Sequence, residues 1–297
     1  MKDIIVVTGG AGFVGSNLIS LLIKKTKFKI ISIDDYSTGK KKNLLYNQRV
    51  TYVKENTKNI STILKKKRNK IITIFHFGEF SRIYQSFIKM NECINSNTIG
   101  SNEVFNFCLS NKIKLIYSAT SASIGNDGND KNLSPYAFTK TKNLELLENL
   151  KKWFNFKFEI VYFYNVYGPG QIKTGSMSTV IGIFEDQFKK KIPLTVVRPG
   201  SQSRRFTHID DTIEACYYAW KKNECKHYSI SSRKSYTIIN VAKLFSTKIK
   251  LLPPRKGERY ASALTNLNLS NKVNKMFGKI DLKDYVVNIV KNSQKKL

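Results

Sequence analysis

Short apolar runs alternate with amphipathic segments over the first 165 residues of the chain. Runs rich in β-branched and aromatic residues predict strands at 4–7, 29–34, 51–53, 71–75, 114–118 and 158–164. Between them, apolar residues recur at helical spacing and predict helices over 16–25, 96–110 and 136–153. Strands that are apolar on both faces and are joined by helices indicate a parallel sheet covered on its two sides. We therefore expect an α/β fold with a doubly wound parallel sheet.

The regular alternation ends after the segment YGPG at residues 167–170. Beyond it Gly, Pro, Ser and Thr become frequent, which is typical of loops and irregular structure. We expect a sheet domain over residues 1–168 and a smaller, irregular, mainly substrate-binding region over 169–297. We also expect the chain to return to the sheet domain around residues 206–232.

The composition adds a strong positive charge to this picture. The 297 residues include 51 Lys and Arg against 21 Asp and Glu, which gives a formal net charge of +30. Residues 1–150 hold 23 basic and 11 acidic residues, and residues 151–297 hold 28 and 10, so both halves share the charge. A nucleic-acid-binding protein concentrates its Arg and Lys on one face or arm. We therefore expect a solvated basic surface and no nucleic-acid partner.

The sequence gives no sign of a membrane segment, a signal peptide or a metal site. No apolar run approaches the length of about 20 residues that a membrane-spanning helix needs. The apolar run in the N-terminal MKDIIVVTGG is too short for the core of a signal peptide. The four cysteines form no CxxC pair and the three histidines are scattered, so neither zinc nor a disulfide framework is predicted. We expect a cytoplasmic protein with no membrane partner and no bound metal.

A glycine-rich turn joins the first predicted strand to the first predicted helix. Its glycines at positions 9, 12 and 15 have the spacing of a dinucleotide-binding turn. Gly9 permits the tight turn, Gly12 lets the backbone approach a pyrophosphate, and Gly15 lets the helix pack closely on the strand. Asp34 ends the second predicted strand, 19 residues beyond Gly15, where a carboxylate accepts both ribose hydroxyls and repels a 2′-phosphate. This pattern predicts NAD rather than NADP, although the basic residues at 40–42 lie near enough to tolerate a phosphate.

Tyr136 and Lys140 form a YxxxK pair at the start of the long predicted helix. Residues four apart lie on one helical face, so the phenol and the ammonium are neighbours. A nearby ammonium stabilises the phenolate, which is the form that a general base needs. Thr120 follows the strand KLIYS at the same edge of the sheet, where its hydroxyl can hydrogen-bond a reacting oxygen. A shift of one residue in this assignment would put Ser121 in the place of Thr120.

The glycine turn and the Tyr136–Lys140 pair belong to a longer series of motifs. The series comprises TGGAGFVG (8–15), FHFG (75–78), NTIGS (97–101), the hydroxyl of Thr120, YNVYGPG (164–170), RRFTHIDD (204–211) and RKGE (255–258). In this order the motifs resemble those of the extended short-chain dehydrogenase/reductases that act on nucleotide sugars. Within that family the chain is most similar to the UDP-glucose and UDP-N-acetylglucosamine 4-epimerases, and the resemblance covers essentially the whole chain.

The resemblance implies a Rossmann-type fold that binds NAD and a nucleotide sugar and forms a homodimer through the helices at 96–110 and 136–153. It makes Tyr136 the base, Lys140 its partner and Thr120 the catalytic hydroxyl. The residues implied in NAD binding are Gly9, Gly12, Phe13, Val14, Gly15, Asp34, Phe77, Gly78, Asn97, Tyr136 and Lys140. The residues implied in substrate binding are Thr120, Asn165, Arg204, Arg255 and Ser262.

The reaction implied by the resemblance is epimerisation at C4 of the sugar through a transient 4-keto intermediate. Related 4,6-dehydratases carry Asp-Glu directly after the catalytic Thr, whereas Ser121 and Ala122 follow Thr120 here. Neither residue can move a proton from C5 or to the C6 leaving group, so dehydration is the weaker alternative. A C4 keto-reductase of the same family stays open, as does a dinucleotide-binding protein without catalysis. Ser262 stands at the family's gate for the C2 substituent and is small, which predicts that N-acetylated hexoses are accepted beside plain ones.

The chain departs from the family's pattern at two positions near the cofactor crevice. Glu79 replaces the usual small residue after FHFG, and the sequence offers no reason for it. Asn56 stands near the position where relatives carry an Asp that contacts the adenine.

Overall fold

The computed structural model describes residues 2–257 and 273–294 of the chain. The strands are β1 (Ile4–Thr8), β2 (Lys29–Asp34), β3 (Val50–Lys54), β4 (Ile71–His76), β5 (Lys114–Thr120), β6 (Phe158–Phe163), β7 (Val166–Tyr167), β8 (Leu194–Val197), β9 (Ser203–Arg205), β10 (Thr207–His208), β11 (His227–Ser231), β12 (Ser235–Thr237), β13 (Ile249–Leu252) and β14 (Val273–Phe277). The helices are α1 (Phe13–Lys25), α2 (Ile60–Leu64), α3 (Ile83–Ile88), α4 (Met90–Ile94), α5 (Ser101–Ser110), α6 (Pro135–Phe154), α7 (Val180–Lys189), α8 (Ile209–Lys221), α9 (Ile238–Lys243) and α10 (Leu282–Gln294). A π-helical turn at Asn95–Gly100 joins α4 to α5.

Eight of these strands form one sheet in the order β14-β11-β6-β5-β4-β1-β2-β3. Every neighbouring pair in it is parallel. The chain runs outward from β1 to β3 on one side and from β4 to β6 on the other, so the strand order reverses between β1 and β4. In an open parallel sheet this reversal leaves a crevice at the carboxyl ends of the two strands, where ligands bind.

Helices cover both faces of the sheet, as the apolar strands require. On one face Ile74 of β4 belongs to a buried cluster with Phe105 of α5 and Leu147 of α6. On the other face Leu18 of α1 and Cys216 of α8 belong to a second buried cluster. The sheet therefore forms the middle layer of three.

The region after β7 has an apolar core of its own. Its fully buried side chains include Phe184 of α7, Leu194 of β8, Leu282 of α10, and Phe245 just after α9. Between these elements the chain comes back to the sheet, because α8 packs on one face and β11 pairs with β6. Strand β14 also joins the sheet, beside β11, although it lies far beyond the stretch at 206–232 where a return is expected. The division into two domains stays a prediction.

The start of α6 is fixed by local sequence. Ser134 is the N-cap, and its hydroxyl accepts a hydrogen bond from the backbone N–H of Ala137 at 3.1 Å. Pro135 follows at the first helical position, where its missing N–H has no partner to lose. The helix ends at Asn155, whose φ of 52° is left-handed. These signals place Tyr136 and Lys140 in the first two turns of a helix of 20 residues.

A buried ion pair ties the start of β11 to the middle of the sheet. Glu159 on β6 is fully buried and lies 3.2 Å from the ammonium of Lys114 on β5. Its carboxylate also accepts hydrogen bonds from three successive backbone N–H groups, those of residues 224, 225 and 226, at 2.8 to 3.2 Å. Burial lowers the pKa of Lys114, and the Glu159 charge opposes that shift. The pair fixes the loop that leads into β11.

The α/β fold with a doubly wound parallel sheet is confirmed. The six strands expected before residue 165 are β1 to β6, displaced by no more than two residues at either end. The helix expected at 96–110 has a π-helical first part, and the sequence pattern does not reveal α3 and α4 before it. In the described part of the chain, the helices are too short or too polar to cross a bilayer.

Candidate active site

A cavity of about 860 Å³ opens at the carboxyl ends of β1, β4, β5 and β6. Twelve of the site residues expected from the sequence line it: Gly9, Gly12, Phe13, Val14, Gly15, Asp34, Phe77, Gly78, Thr120, Tyr136, Lys140 and Asn165. They come from six separate segments of the chain. The fold therefore gathers the glycine turn and the YxxxK pair around one space.

The glycine turn has the geometry of a phosphate cradle. Gly9 has a φ of +70°, and a Cβ there would lie 2.7 Å from the carbonyl carbon of Phe77. A Cβ on Gly15 would overlap the carbonyl oxygen of Gly9, so the first turn of α1 packs directly on the turn. Gly12 precedes α1 and supplies no side-chain cap, and Phe13 and Val14 of the first helical turn line the cavity. Such a helix start attracts an anion, and a dinucleotide pyrophosphate fits it.

Asp34 lies at the carboxyl end of β2, where it can receive a ribose. Its Oδ2 accepts from the backbone N–H of Ala11 at 2.9 Å and its Oδ1 from that of Tyr36 at 2.8 Å. Burial raises the pKa of Asp34, and the hydrogen bonds from Tyr36 and Ala11 oppose this. These two bonds and a weaker one from the backbone of Gly12 hold the carboxylate in one orientation, and its remaining lone pairs can accept from ribose hydroxyls.

Thr120, Tyr136 and Lys140 all line the cavity. Thr120 ends β5, and its hydroxyl oxygen accepts from the backbone N–H of Ala122 at 3.2 Å, so the hydroxyl hydrogen stays available. Tyr136 is 9% exposed and Lys140 is 4% exposed. The Lys140 ammonium bonds to the Ser118 carbonyl oxygen and the carboxylate of Glu79. This arrangement can remove a proton from a hydroxyl group that is held between Thr120 and Tyr136.

Arg82 also lines the cavity, and the sequence motifs do not indicate it. Its Nε donates to the carbonyl oxygen of Met177 at 2.9 Å, which links the loop before α3 to the region after β7. Burial lowers the pKa of Arg82, and an electrostatic interaction with Tyr136 opposes that shift. The available signal is its position six residues after β4, in the loop that the crevice rule assigns to ligands.

Two of the expected site residues, Asn97 and Arg204, are buried and hydrogen-bonded to neighbouring backbone groups. Asn97 is fully buried in the π-helical turn, where its amide holds the backbone of Phe80 through bonds of 2.6 and 3.1 Å. Arg204 is 7% exposed, and its guanidinium donates to the carbonyl oxygen of Ser203 at 2.8 Å. Neither residue lines the cavity, so the roles expected for them stay predictions.

The remaining substrate residues differ in their surroundings. Asn165 faces the cavity, and its side-chain amide donates to the carbonyl oxygen of Arg205 at 2.9 Å. Arg255 is exposed and lies over the ring of Tyr84, 5.5 Å from its centroid, outside the cavity lining. Ser262 lies outside the described residues, so its expected role as a gate stays a prediction.

His76 lies at the end of β4, fully buried between two hydroxyl groups. Its Nδ1 is 2.7 Å from Thr8 Oγ1 and its Nε2 is 3.0 Å from Ser101 Oγ. Burial lowers the pKa of His76 to about 4. The ring is therefore neutral at physiological pH and serves as a hydrogen-bonded element of the wall.

Comparisons with known proteins agree with this geometry. The model of the NAD dependent epimerase/dehydratase family matches residues 5–231. The chain is 29% identical over 229 residues to the uncharacterized UDP-glucose epimerase YtcB of Bacillus subtilis (strain 168), which covers 71% of this chain and 70% of that protein.

Two solved structures are similar over almost their entire length. The UDP-N-acetylglucosamine 4-epimerase of Methanobrevibacter ruminantium M1, in complex with UDP-N-acetylmuramic acid, has a TM-score of 0.85 at 25% identity, with 100% of both chains covered. The UDP-glucose 4-epimerase of Thermotoga maritima, with UDP-glucose, has a TM-score of 0.86 at 24% identity, with 99% of both chains covered. The similarity to the Thermotoga maritima structure, at 24% identity, shows the fold alone. The match of the family model extends over most of the strands of the sheet. The chain belongs to the NAD-dependent epimerase/dehydratase family.

Proposed function

We propose that the protein epimerises a nucleoside-diphosphate sugar at C4 through a transient 4-keto intermediate, with a UDP-hexose or a UDP-N-acetylhexosamine as substrate. One observation carries the proposal: Thr120, Tyr136 and Lys140 lie on the wall of the same cavity as the glycine turn and Asp34. A hydroxyl group bound at this wall lies beside both a base and a dinucleotide. The UDP-sugars named for the two structural neighbours support the choice of substrate class.

The residues of the chain divide the chemistry between them. NAD, when bound, supplies the acceptor for the hydride of C4. Thr120 hydrogen-bonds the C4 oxygen, and Tyr136 takes the hydroxyl proton as that oxygen becomes a carbonyl. Lys140 stabilises the phenolate before this step. After the keto sugar has turned its other face to the site, C4 would regain the hydride on that face while Tyr136 returns the proton to the oxygen, so that the alcohol forms with inverted configuration.

Dehydration and one-way keto-reduction are the alternatives within the family. Ser121 and Ala122 follow Thr120 in a buried turn, 3% and 0% exposed, and neither side chain is an acid or base at physiological pH. A 4,6-dehydratase needs such groups at C5 and C6. The described wall therefore favours epimerisation over dehydration.

We also propose a cytoplasmic homodimer whose interface includes the helical segments at 96–110 and 136–153. Large apolar side chains on these segments are exposed in the single chain: Ile99 at 50%, Phe138 at 44% and Trp153 at 62%. An interface that covered them would remove unfavourable apolar surface from water.

A panel of nucleotide sugars tests the proposed reaction. The purified protein is incubated with UDP-, dTDP-, GDP- and CDP-sugars, including N-acetylated hexoses, and the products are identified by NMR and mass spectrometry. We expect a product of unchanged mass with inverted C4 from a UDP-sugar. Loss of 18 mass units, the mass of water, would show a dehydratase, and turnover that requires added reduced cofactor would show a keto-reductase.

Asp34→Asn should weaken the binding of NAD about 10- to 100-fold, because charge-assisted hydrogen bonds to the ribose are lost. The preference for NAD over NADP should shrink at the same time, since the charge that repels a 2′-phosphate is removed. Titration of both cofactors by calorimetry measures the two effects. Asp35→Asn is the matched control, because that carboxylate bonds to Ser37 and Asn56 instead; an equal loss in both variants would contradict the role of Asp34.

A further inference from the structure

Glu79 is a buried carboxylate in the loop after β4, and its side chain is 2% exposed. A charge at this depth requires partners. Its Oε1 accepts from Ser101 Oγ at 2.7 Å, from Tyr117 OH at 3.0 Å and from Asn143 Nδ2 at 3.2 Å. Its Oε2 forms an ion pair with Lys140. Three elements of the fold, α5, β5 and α6, therefore supply the partners of this one side chain.

The same contacts fix the Lys140 ammonium. Its side chain is 5% exposed, and its Nζ bonds to Glu79 and to the carbonyl oxygen of Ser118. It also lies 3.4 Å from Tyr117 OH and 4.5 Å from the centroid of that ring. Burial lowers the pKa of Lys140, and the charge of Glu79 opposes the shift.

We propose that Glu79 is a positioning residue that keeps Lys140 charged and holds its ammonium at the wall of the active site. The proposal rests on the proposed function, because the charged ammonium matters there for the phenolate of Tyr136.

The other titratable groups around Lys140 do not replace Glu79. They are His76 on β4, Cys93 on α4 and Tyr117 on β5. Burial lowers the pKa of His76 to about 4, raises that of Cys93 to about 11, and raises that of Tyr117 well above its usual value. These three are neutral near pH 7. Among the described groups that face Lys140, Glu79 is the one carboxyl group, and it forms the ion pair with the ammonium.

The pH dependence of kcat tests the proposal. Lys140 must be protonated, so its loss of a proton sets an alkaline limb of the profile. Glu79→Gln keeps the size of the side chain and removes the charge, which lowers the affinity of Lys140 for its proton. We expect the alkaline limb to move to lower pH by about one unit or more, with KM changed less than about threefold. A lower kcat with an unmoved alkaline limb would overturn the proposal.

Two further variants separate this effect from a loss of structure. Glu145→Gln removes an exposed carboxylate that pairs with Lys142 on the same helix as Lys140, and its profile should match that of the unaltered protein. Glu79→Asp keeps the charge at a greater distance from Nζ and should shift the alkaline limb in the same direction by a smaller amount. If the glutamine variant does not fold, the aspartate variant carries the test, and an unmoved limb in it would count against the proposal.

A measurement without turnover separates this proposal from the proposed reaction. The Nζ signal of Lys140 is followed by NMR against pH in ¹⁵N-lysine-labelled protein with NAD bound, and is assigned by its absence in Lys140→Arg. In Glu79→Gln the signal should titrate at lower pH than in the unaltered protein. The same titration in both proteins would refute the proposal, whereas failure to convert any nucleotide sugar would refute only the proposed function.

Discussion

Tyr136→Phe should lower kcat by about 10²- to 10⁴-fold, the usual contribution of a general base, while NAD remains bound. The change removes one oxygen from a residue that is 9% exposed and lines the cavity. The helix start stays intact, because the N-cap bond from Ala137 to Ser134 uses the backbone of α6. Single-turnover and steady-state rates with the substrate found in the panel measure the loss, and calorimetry measures NAD binding.

The matched control is Tyr218→Phe on α8, where the side chain is 45% exposed. It should leave both kcat and cofactor affinity within about twofold, since surface substitutions rarely matter. Full activity of Tyr136→Phe would contradict the mechanism. Equal loss of turnover and of NAD binding would instead show that the phenol supports the cofactor site.

Glu159→Ala should lower the free energy of unfolding by about 3–5 kcal/mol, because it removes the fully buried carboxylate that balances the charge of the partly buried Lys114 ammonium. The carboxylate is fully buried and serves the Lys114 ammonium together with three backbone N–H groups. Its removal leaves the three backbone N–H groups without their acceptor in a place that water reaches poorly, whereas the Lys114 ammonium keeps the carbonyl oxygen of Trp220 at 3.0 Å. Urea unfolding, monitored by circular dichroism and checked for reversibility, measures the change.

An exposed ion pair provides the comparison for Glu159. Lys25 and Glu214 lie 2.7 Å apart with side chains 39% and 49% exposed, so Glu214→Gln should lower stability by less than about 1 kcal/mol. Lys114→Met should destabilise less than Glu159→Ala, since the three backbone donors keep their acceptor. Equal effects of Glu159→Ala and Glu214→Gln would show that burial does not set the strength of the pair.

The sheet could be predicted where strands are apolar on both faces. Strand β1 is buried at every position, and its pattern IIVVT leaves no doubt about its type. Strand β11 escapes this reasoning because HYSIS buries Ser229 and Ser231, which a polar pattern would place in a loop. Strand β11 is buried because β6 and β14 pair with it on its two sides. The local sequence of β11 does not show that these strands lie beside it.

The candidate site likewise contains some contacts that the sequence indicates and others that it does not. The glycine turn and the Tyr136–Lys140 pair are local patterns, so their spacing alone indicates neighbours. The contacts of Glu79 join residues that are 22, 38, 61 and 64 positions apart in the chain. Arg82 and Tyr136, which interact electrostatically, are 54 positions apart. Such contacts follow from the fold and have no counterpart in the spacing of residues.

The pairing of strand β14 limits how far the chain can be shortened from its C-terminal end. The family match ends at residue 231, which is also the last residue of β11, and that agreement suggests a convenient place to divide the chain. A cut there would leave the hydrogen-bonding edge of β11 bare, because β14 pairs with all five of its residues. Exposed parallel edges recruit other strands. A truncated protein should therefore aggregate, even though every motif of the cofactor site would still be present.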